Sequence, residues 1–276
     1  MKAFRLSFLN YLLGASIVVF GLGGASLWAN VEDTKTTERR EELLEKALGG
    51  DVSAMLRLGG QFQLEGDVIL AERWFRKAGD LGDASALWGL VALQERRTLK
   101  DRAATLSSLY QELITLGDAQ AYYHLGRLYS WEDSPLRNED LGDMYLRDAA
   151  RLGVTEAKLL LGKLFLGEWG HRQDYLQAID YLTRASKNKN GEAYRHLGMI
   201  YRYGLGNRTD LDLAWRHYGQ AARLGDPESI YTIAEALYEG KDIEQDKVKA
   251  EQYFRRAADL GYQDAGKRLK QLFSQL

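Results

Sequence analysis

A glycine recurs along this chain at an almost fixed interval, and that interval constrains the fold more than any other feature of the sequence. Placed on the pattern Ala-x-x-x-Leu-Gly, the column holds Gly59, Gly89, Gly126, Gly162, Gly198, then Ala234 and Lys270, with steps of 30, 37, 36, 36, 36 and 36. A second column holds Gly82, Gly117, Gly153, Lys189, Gly225 and Gly261, with a step of 35 followed by four of 36. Self-similarity at this period marks an architecture in which each repeat is one supersecondary unit stacked on the next. With only two prolines and no long serine or proline tract in 276 residues, one continuous body is expected, with no flexible linker.

Between the two columns lie two helical patterns. The first carries apolar residues at i, i+4 and i+8, as in Ala121, Leu125, Tyr129 and again in Ala157, Leu161, Phe165 and in Ala193, Leu197, Tyr201. The second carries an aromatic residue followed by alanine, as in Trp74, Phe75, Ala78 and in Tyr253, Phe254, Ala257, Ala258. Both spacings place the apolar residues on one face of an α-helix, so each unit reads as a helix–turn–helix hairpin. A glycine inside a helix costs about 1 kcal/mol relative to alanine. Its recurrence at Gly59, Gly89, Gly126, Gly162 and Gly198 therefore marks places where a side chain does not fit because two helices approach closely. Lys270 in that column suits a terminal helix with no successor. The second column falls just after a helix, where glycine takes the left-handed C-cap conformation. Asp226 reads as an N-cap, with Pro227 at the first helical position and Glu228 in the first turn.

Read together in one unit, the residues are Ala193, Leu197, Gly198, Tyr201, Gly204, Gly206, Asp210, Ala214, Tyr218, Ala221, Ala222, Gly225 and Asp226. The stretch from Gly240 repeats them with Asp246, Ala250, Tyr253, Phe254, Ala257, Ala258 and Gly261. This pattern resembles the Sel1-like repeat, a relative of the tetratricopeptide repeat, over roughly residues 51 to 274. The resemblance implies an all-α right-handed solenoid of about six hairpins whose first helices line a concave wall. It also implies a scaffold or adaptor in envelope machinery, as in polysaccharide secretion, motor or pilus assembly, or restraint of sensor kinases. Two elbows depart from the pattern, "ERRTLKDR" in the second unit and "WEDSPLRNED" in the third, and are expected to be reshaped.

Residues 6–31 carry no charge, with Lys2 and Arg5 before them and Glu32 and Asp33 after. A basic start, an apolar stretch and small residues at Gly23, Gly24, Ala25, Ser26 and Ala29 make an export signal. Cleavage after Ala25 or Ala29 fits, and so does retention as an anchor, because the uncharged run exceeds the roughly 20 residues that span a bilayer and Trp28 suits an interface. Either fate places the rest outside the cytoplasm, in the periplasm if the source is bacterial. The reading divides the chain into signal or anchor (1–31), a polar capping helix (32–50, helical near Thr37 to Leu48) and the solenoid (51–276). Without Lys2 and Arg5 the basic count falls from 37 to 35 against 39 acids, a net charge of −4 that disfavours nucleic acid as a partner. With no cysteine the chain has no disulfide, thiolate nucleophile or lipid-modified cysteine.

The turn Gly204–Leu205–Gly206, with Arg208, His217 and Arg223 nearby, invites comparison with a phosphate loop. Such a loop needs a preceding strand and occurs once, whereas this one recurs as Gly167 with Gly170 and as Gly240, so it reads as a hairpin elbow. Of the four histidines, His124 and His196 occupy equivalent places two units apart, about 20 Å at the usual helix spacing. His171 sits in a loop and His217 on a second helix. No catalytic signature occurs, and no enzyme activity, cofactor or metal is expected.

Counted at 100° per residue from the alanine of each first helix, positions +2, +3, +6, +9 and +10 face away from the core. They give Tyr123, His124, Arg127, Ser130 and Trp131 in the third unit; Leu159, Leu160, Lys163 and Leu166 in the fourth; Arg195, His196, Met199, Arg202 and Tyr203 in the fifth; and Tyr231, Thr232, Glu235, Tyr238 and Glu239 in the sixth. Aromatic and arginine side chains are enriched where proteins dock. The tyrosines fit either a groove or packing against the neighbouring second helix; Arg127, Arg195 and Arg202 point to a groove. The expectation is a scaffold for envelope proteins, with membrane association through residues 6–31. Two alternatives stand beside it, a periplasmic regulator that sequesters a membrane sensor and a binder of glycan strands.

Overall fold

The computed structural model describes residues 40–94, 98–206 and 208–273, and the apolar segment at 6–31 lies outside them. All regular structure among the described residues is helical. Helix α1 covers residues 40–48. Then follow α2 (Val52–Glu65), α3 (Val68–Asp80), α4 (Ala84–Leu93), α5 (Leu99–Thr115), α6 (Ala119–Ser130) and α7 (Glu139–Arg151). The chain continues with α8 (Thr155–Phe165), a 3-10 turn (Glu168–Gly170), α9 (Tyr175–Ser186), α10 (Gly191–Tyr203), α11 (Leu211–Arg223), α12 (Pro227–Glu239), α13 (Lys247–Asp259) and α14 (Gln263–Phe273). Consecutive pairs from α2–α3 to α12–α13 form six hairpins, and α14 packs on α13 as the closing helix. No described helix is long and apolar enough to cross a membrane.

Local chemistry fixes the ends of these helices. Asp51, Asp67, Asp83, Thr98, Asp118, Asn138, Asp174, Asn190, Asp210, Asp226 and Asp246 each accept a backbone N–H from the first turn that follows. At the other end, Gly82, Gly117, Gly153, Gly225 and Gly261 all have φ between +82° and +99°, and Lys189 holds the same place at +58°. The column of turn residues is thus a column of left-handed residues, occupied once by a side chain that disfavours the conformation.

The alanine–leucine pattern forms the core. Ala121, Ala157, Ala193, Leu125 and Leu161 are fully buried, and Leu197 is nearly so. The aromatic residue one turn later stacks on the second helix of its own hairpin: Tyr129 on Tyr145, Phe165 on Tyr181 and Tyr201 on His217, with centroids 5.9, 5.9 and 5.5 Å apart. His217 therefore occupies an aromatic column, and burial pushes its imidazole below the usual range. Successive units are tied by polar contacts as well, such as Arg76–Glu112 (2.7 Å), Arg147 to the Tyr181 hydroxyl (3.0 Å) and to Gln177 (2.9 Å), and Arg256 to the Ala222 carbonyl (2.8 Å).

The glycine column does mark close approach. A methyl group at Gly59 would lie 2.6 Å from the Phe75 ring, at Gly126 2.7 Å from Leu146, at Gly162 2.6 Å from Leu182 and at Gly198 3.0 Å from Tyr218. Each partner belongs to the second helix of the same hairpin. Gly89 is the exception and corrects the alignment. Its nearest neighbour is again Phe75, on the preceding hairpin. Counted from the N-cap, Gly59, Gly126 and Gly198 follow Asp51, Asp118 and Asn190 by eight residues, whereas eight residues after Asp83 stands Val91. With Val91 in the place of Gly89 the steps of 30 and 37 become 32 and 35, so this offset accounts for part of their unevenness.

The second hairpin is remodelled accordingly. Its second helix, α5, has 17 residues where α3, α7, α11 and α13 have 13, and α4 meets α5 over a much smaller area than the helices of the other hairpins share. The third elbow folds as two turns through Ser134 and Arg137, with the Asn138 amide returning to the Tyr129 carbonyl (2.8 Å). The elbow at Gly204–Gly206 is an elbow in structure too: Gly204 and Gly206 are left-handed, and the amides of Leu205, Asp210 and Leu213 donate to Ile200 O, Tyr201 O and Asp210 Oδ1, leaving none of the three for an anion.

Candidate partner-binding face

The first helices stack side by side, so the positions facing away from the hairpin core divide into those buried by neighbouring helices and those left open. Three sequence candidates are covered. Ser130 is fully buried, where a methyl on Gly142 would overlap its hydroxyl; Leu160 and His196 are each 7% exposed. The 100° count treated each helix as having one neighbour, but a helix inside a solenoid has several: Ser130 lies against Gly142 of its own second helix, and His124, at +3, meets Trp88 and Tyr110 of the preceding unit.

The basic candidates of the fourth and fifth units are engaged within the chain. Lys163 Nζ lies 2.9 Å from Glu192 and 3.5 Å from Glu168. Arg195 reaches Glu192 (3.6 Å), Asp226 (3.4 Å) and Glu228 (3.1 Å). His196 Nε2 at 3.5 Å, with Lys163 beside it, pulls the Glu192 carboxyl down to about 2. Arg202 pairs with Asp242 at 2.9 Å while its guanidinium lies 5.0 Å over Trp215 and 5.7 Å from Tyr203. These cations join one unit to the next, and charge reversal at Arg195 or Arg202 would disturb the stack as well as any docking. Tyr203 itself is 64% exposed.

In the sixth unit Tyr231 packs on Phe254 (5.5 Å) and Tyr262 (5.0 Å), and burial, with Glu235 adding to it, pushes its hydroxyl up to about 12. Tyr238 packs against Phe273 (5.9 Å) with Lys247 and Arg268 over its ring. For these two tyrosines the packing role is the one observed.

The third unit differs. His124 stacks on Tyr110 (5.5 Å) and meets Trp88 edge-on (5.2 Å), with Tyr123 on its other side (5.1 Å). Burial lowers the His124 pKa, Arg127 adds to the effect, and Asp118 and Glu156 oppose it. Trp88 Nε1 donates to Asp118 Oδ2 at 2.7 Å, fixing the indole. Trp88, Tyr110 and His124, together with Val91, Ala92, Arg102, Leu106, Arg127, Leu128 and Trp131, line a cavity of about 480 Å³. Sequence reasoning found His124, Arg127 and Trp131 and missed Trp88, Tyr110 and Arg102. The signal was present in Val91, visible when the unit is counted from its cap. Among the described residues no group of three or more His, Asp or Glu side chains is placed to hold a metal ion.

The Sel1 repeat model matches residues 52–83, 119–154, 155–190, 191–226 and 227–262, more than half of the chain. The chain belongs to the Sel1 repeat family. The segment between the first two matches, 84–118, is the remodelled hairpin. Among curated proteins it is 31% identical to mouse DAP3-binding cell death enhancer 1 over 61% of this chain and 33% of that protein. It is 24% identical to the Sel1-repeat-containing protein YjcO of Escherichia coli over 78% of this chain and 81% of the relative. The chain thus spans about a third of the length of the mouse protein. Among solved structures, c5321, a protective antigen of uropathogenic E. coli, superposes with a TM-score of 0.69 at 25% identity over 86% of this chain and 52% of that one. A Sel1 repeat protein from Oxalobacter formigenes superposes with a TM-score of 0.64 at 21% identity over 79% and 90% of the two chains. The fold is the Sel1-type right-handed solenoid, and proteins built from these repeats generally mediate protein–protein interactions.

Proposed function

We propose that this Sel1 repeat protein is a non-enzymatic scaffold of the cell envelope that holds a protein partner on the open face of its first helices. The observation that carries the reading is the lining of that face at the second and third units, where aromatic rings and arginines surround a cavity. The uncharged segment 6–31 behind Lys2 and Arg5 supports export, followed by release into the periplasm or retention at the inner membrane. A stacked solenoid suits the task because it offers a long, rigid surface without a closed chamber.

Two measurements test the reading. Chemical crosslinking in the native envelope followed by mass spectrometry should recover envelope proteins joined to residues of the first helices. Protease added to intact spheroplasts should digest the repeats; protection until the membrane is breached would place them in the cytoplasm and overturn the location.

A further inference from the structure

The cavity at the remodelled hairpin combines two features. Its glycine place holds Val91, which lines the cavity, and α4 and α5 meet less closely than the helices of the other hairpins. Counted back from the shared C-terminal turn, Tyr110 is the counterpart of Phe75, Leu146, Leu182 and Tyr218, the residues that fill the glycine notches. With no notch to fill, its ring turns to Trp88 and His124 and walls the cavity. The second property is charge. Along the rest of the face Lys163, Arg195, Arg202 and Arg268 are each matched by carboxylates of this chain. At the cavity, Arg127 is exposed and has no carboxylate within ion-pair distance among the described residues. Among the described residues Arg102 reaches the Gln94 carbonyl (3.3 Å), its Nε is buried without a hydrogen-bond partner, and no carboxylate lines the cavity. Asp118 is committed to Trp88 and to capping α6.

We propose that this cavity is a docking pocket for an acidic peptide segment of a partner protein, one that places an aromatic or large aliphatic side chain beside Asp or Glu. The apolar side chain fills the space among Trp88, Val91, Leu106 and Tyr110, and the carboxylate meets Arg127 and Arg102 at the rim, making the ion pairs that no described carboxylate makes there. The volume suits one anchor side chain and its flanking backbone. The proposal rests on the scaffold reading and specifies its partner.

The test is selection of a random peptide library displayed on phage against the full-length protein in detergent, compared with Arg127→Glu and with Ala92→Trp, which fills the cavity. Arg127 is exposed, so its charge reversal leaves the core intact, and far-UV circular dichroism checks both variants. Enriched peptides should pair an aromatic or aliphatic residue with Asp or Glu, and their binding should weaken about tenfold or more in each variant. Replacing the acid by Asn or Gln should weaken it likewise. Enrichment of neutral or basic peptides, binding indifferent to both variants, or no enrichment at all would overturn the pocket. Envelope crosslinks through other units alongside any of these results would leave the scaffold standing without it.

Discussion

At the scale of single residues, the helical glycines separate into two kinds, those in the repeat column and those outside it. Gly162 faces Leu182 at a distance where a methyl cannot sit without moving the leucine, whereas Gly60 and Gly219 have nothing within 4 Å of a built Cβ. Replacing Gly60 or Gly219 by alanine should raise stability by up to about 1 kcal/mol, the ordinary helix preference. Replacing Gly162 by alanine should lower it by about 1–3 kcal/mol, because overpacking outweighs that preference. Urea unfolding midpoints read both, and a gain at Gly162 would show that the notch is not needed. Period alone identified the column because helix contacts repeat with the unit; it misplaced Gly89 because in that unit the contact is made one hairpin earlier.

At the scale of elements, helix ends and ion pairs carry the testable energetics. Lys189 is a non-glycine residue at φ +58°, in a column otherwise held by glycine. Lys189→Gly should therefore stabilise the α9–α10 turn by about 1 kcal/mol, seen as a higher melting temperature. The caps and turns were legible in the sequence, since Asp, Asn and Gly act through local geometry. The ion pairs were not, because Arg195 and Asp226 meet only once two units are stacked. Glu192 tests them through pH. Its carboxyl is held at about 2 in the folded protein against 4.5 for an ordinary glutamate, so its stabilisation is fully present above about pH 4.5 and is lost as pH falls through 2. Wild-type protein should melt above Glu192→Gln at neutral pH, and the gap should narrow between pH 4.5 and 2. A gap independent of pH would mean that the charge of Glu192 does not hold the units together. The group is partly exposed, so the effect should be modest and reduced by salt.

At the scale of the whole molecule, the solenoid was legible because every unit repeats the same burial problem, and the pocket was not, because it arises where one unit fails to repeat. A glycine column read against the N-caps exposes Val91, and with it the longer α5 and the unclosed α4–α5 contact. The proposed arrangement is that stacking leaves the first-helix face open for a protein partner. Photocrosslinking in living cells tests it most directly, with benzoylphenylalanine at Trp131, beside the cavity, and in parallel at Arg255, exposed on α13. The account predicts a discrete protein adduct from position 131 that Arg127→Glu abolishes, and none from position 255. Adducts from position 255 alone, or equal adducts from both that ignore Arg127, would contradict it.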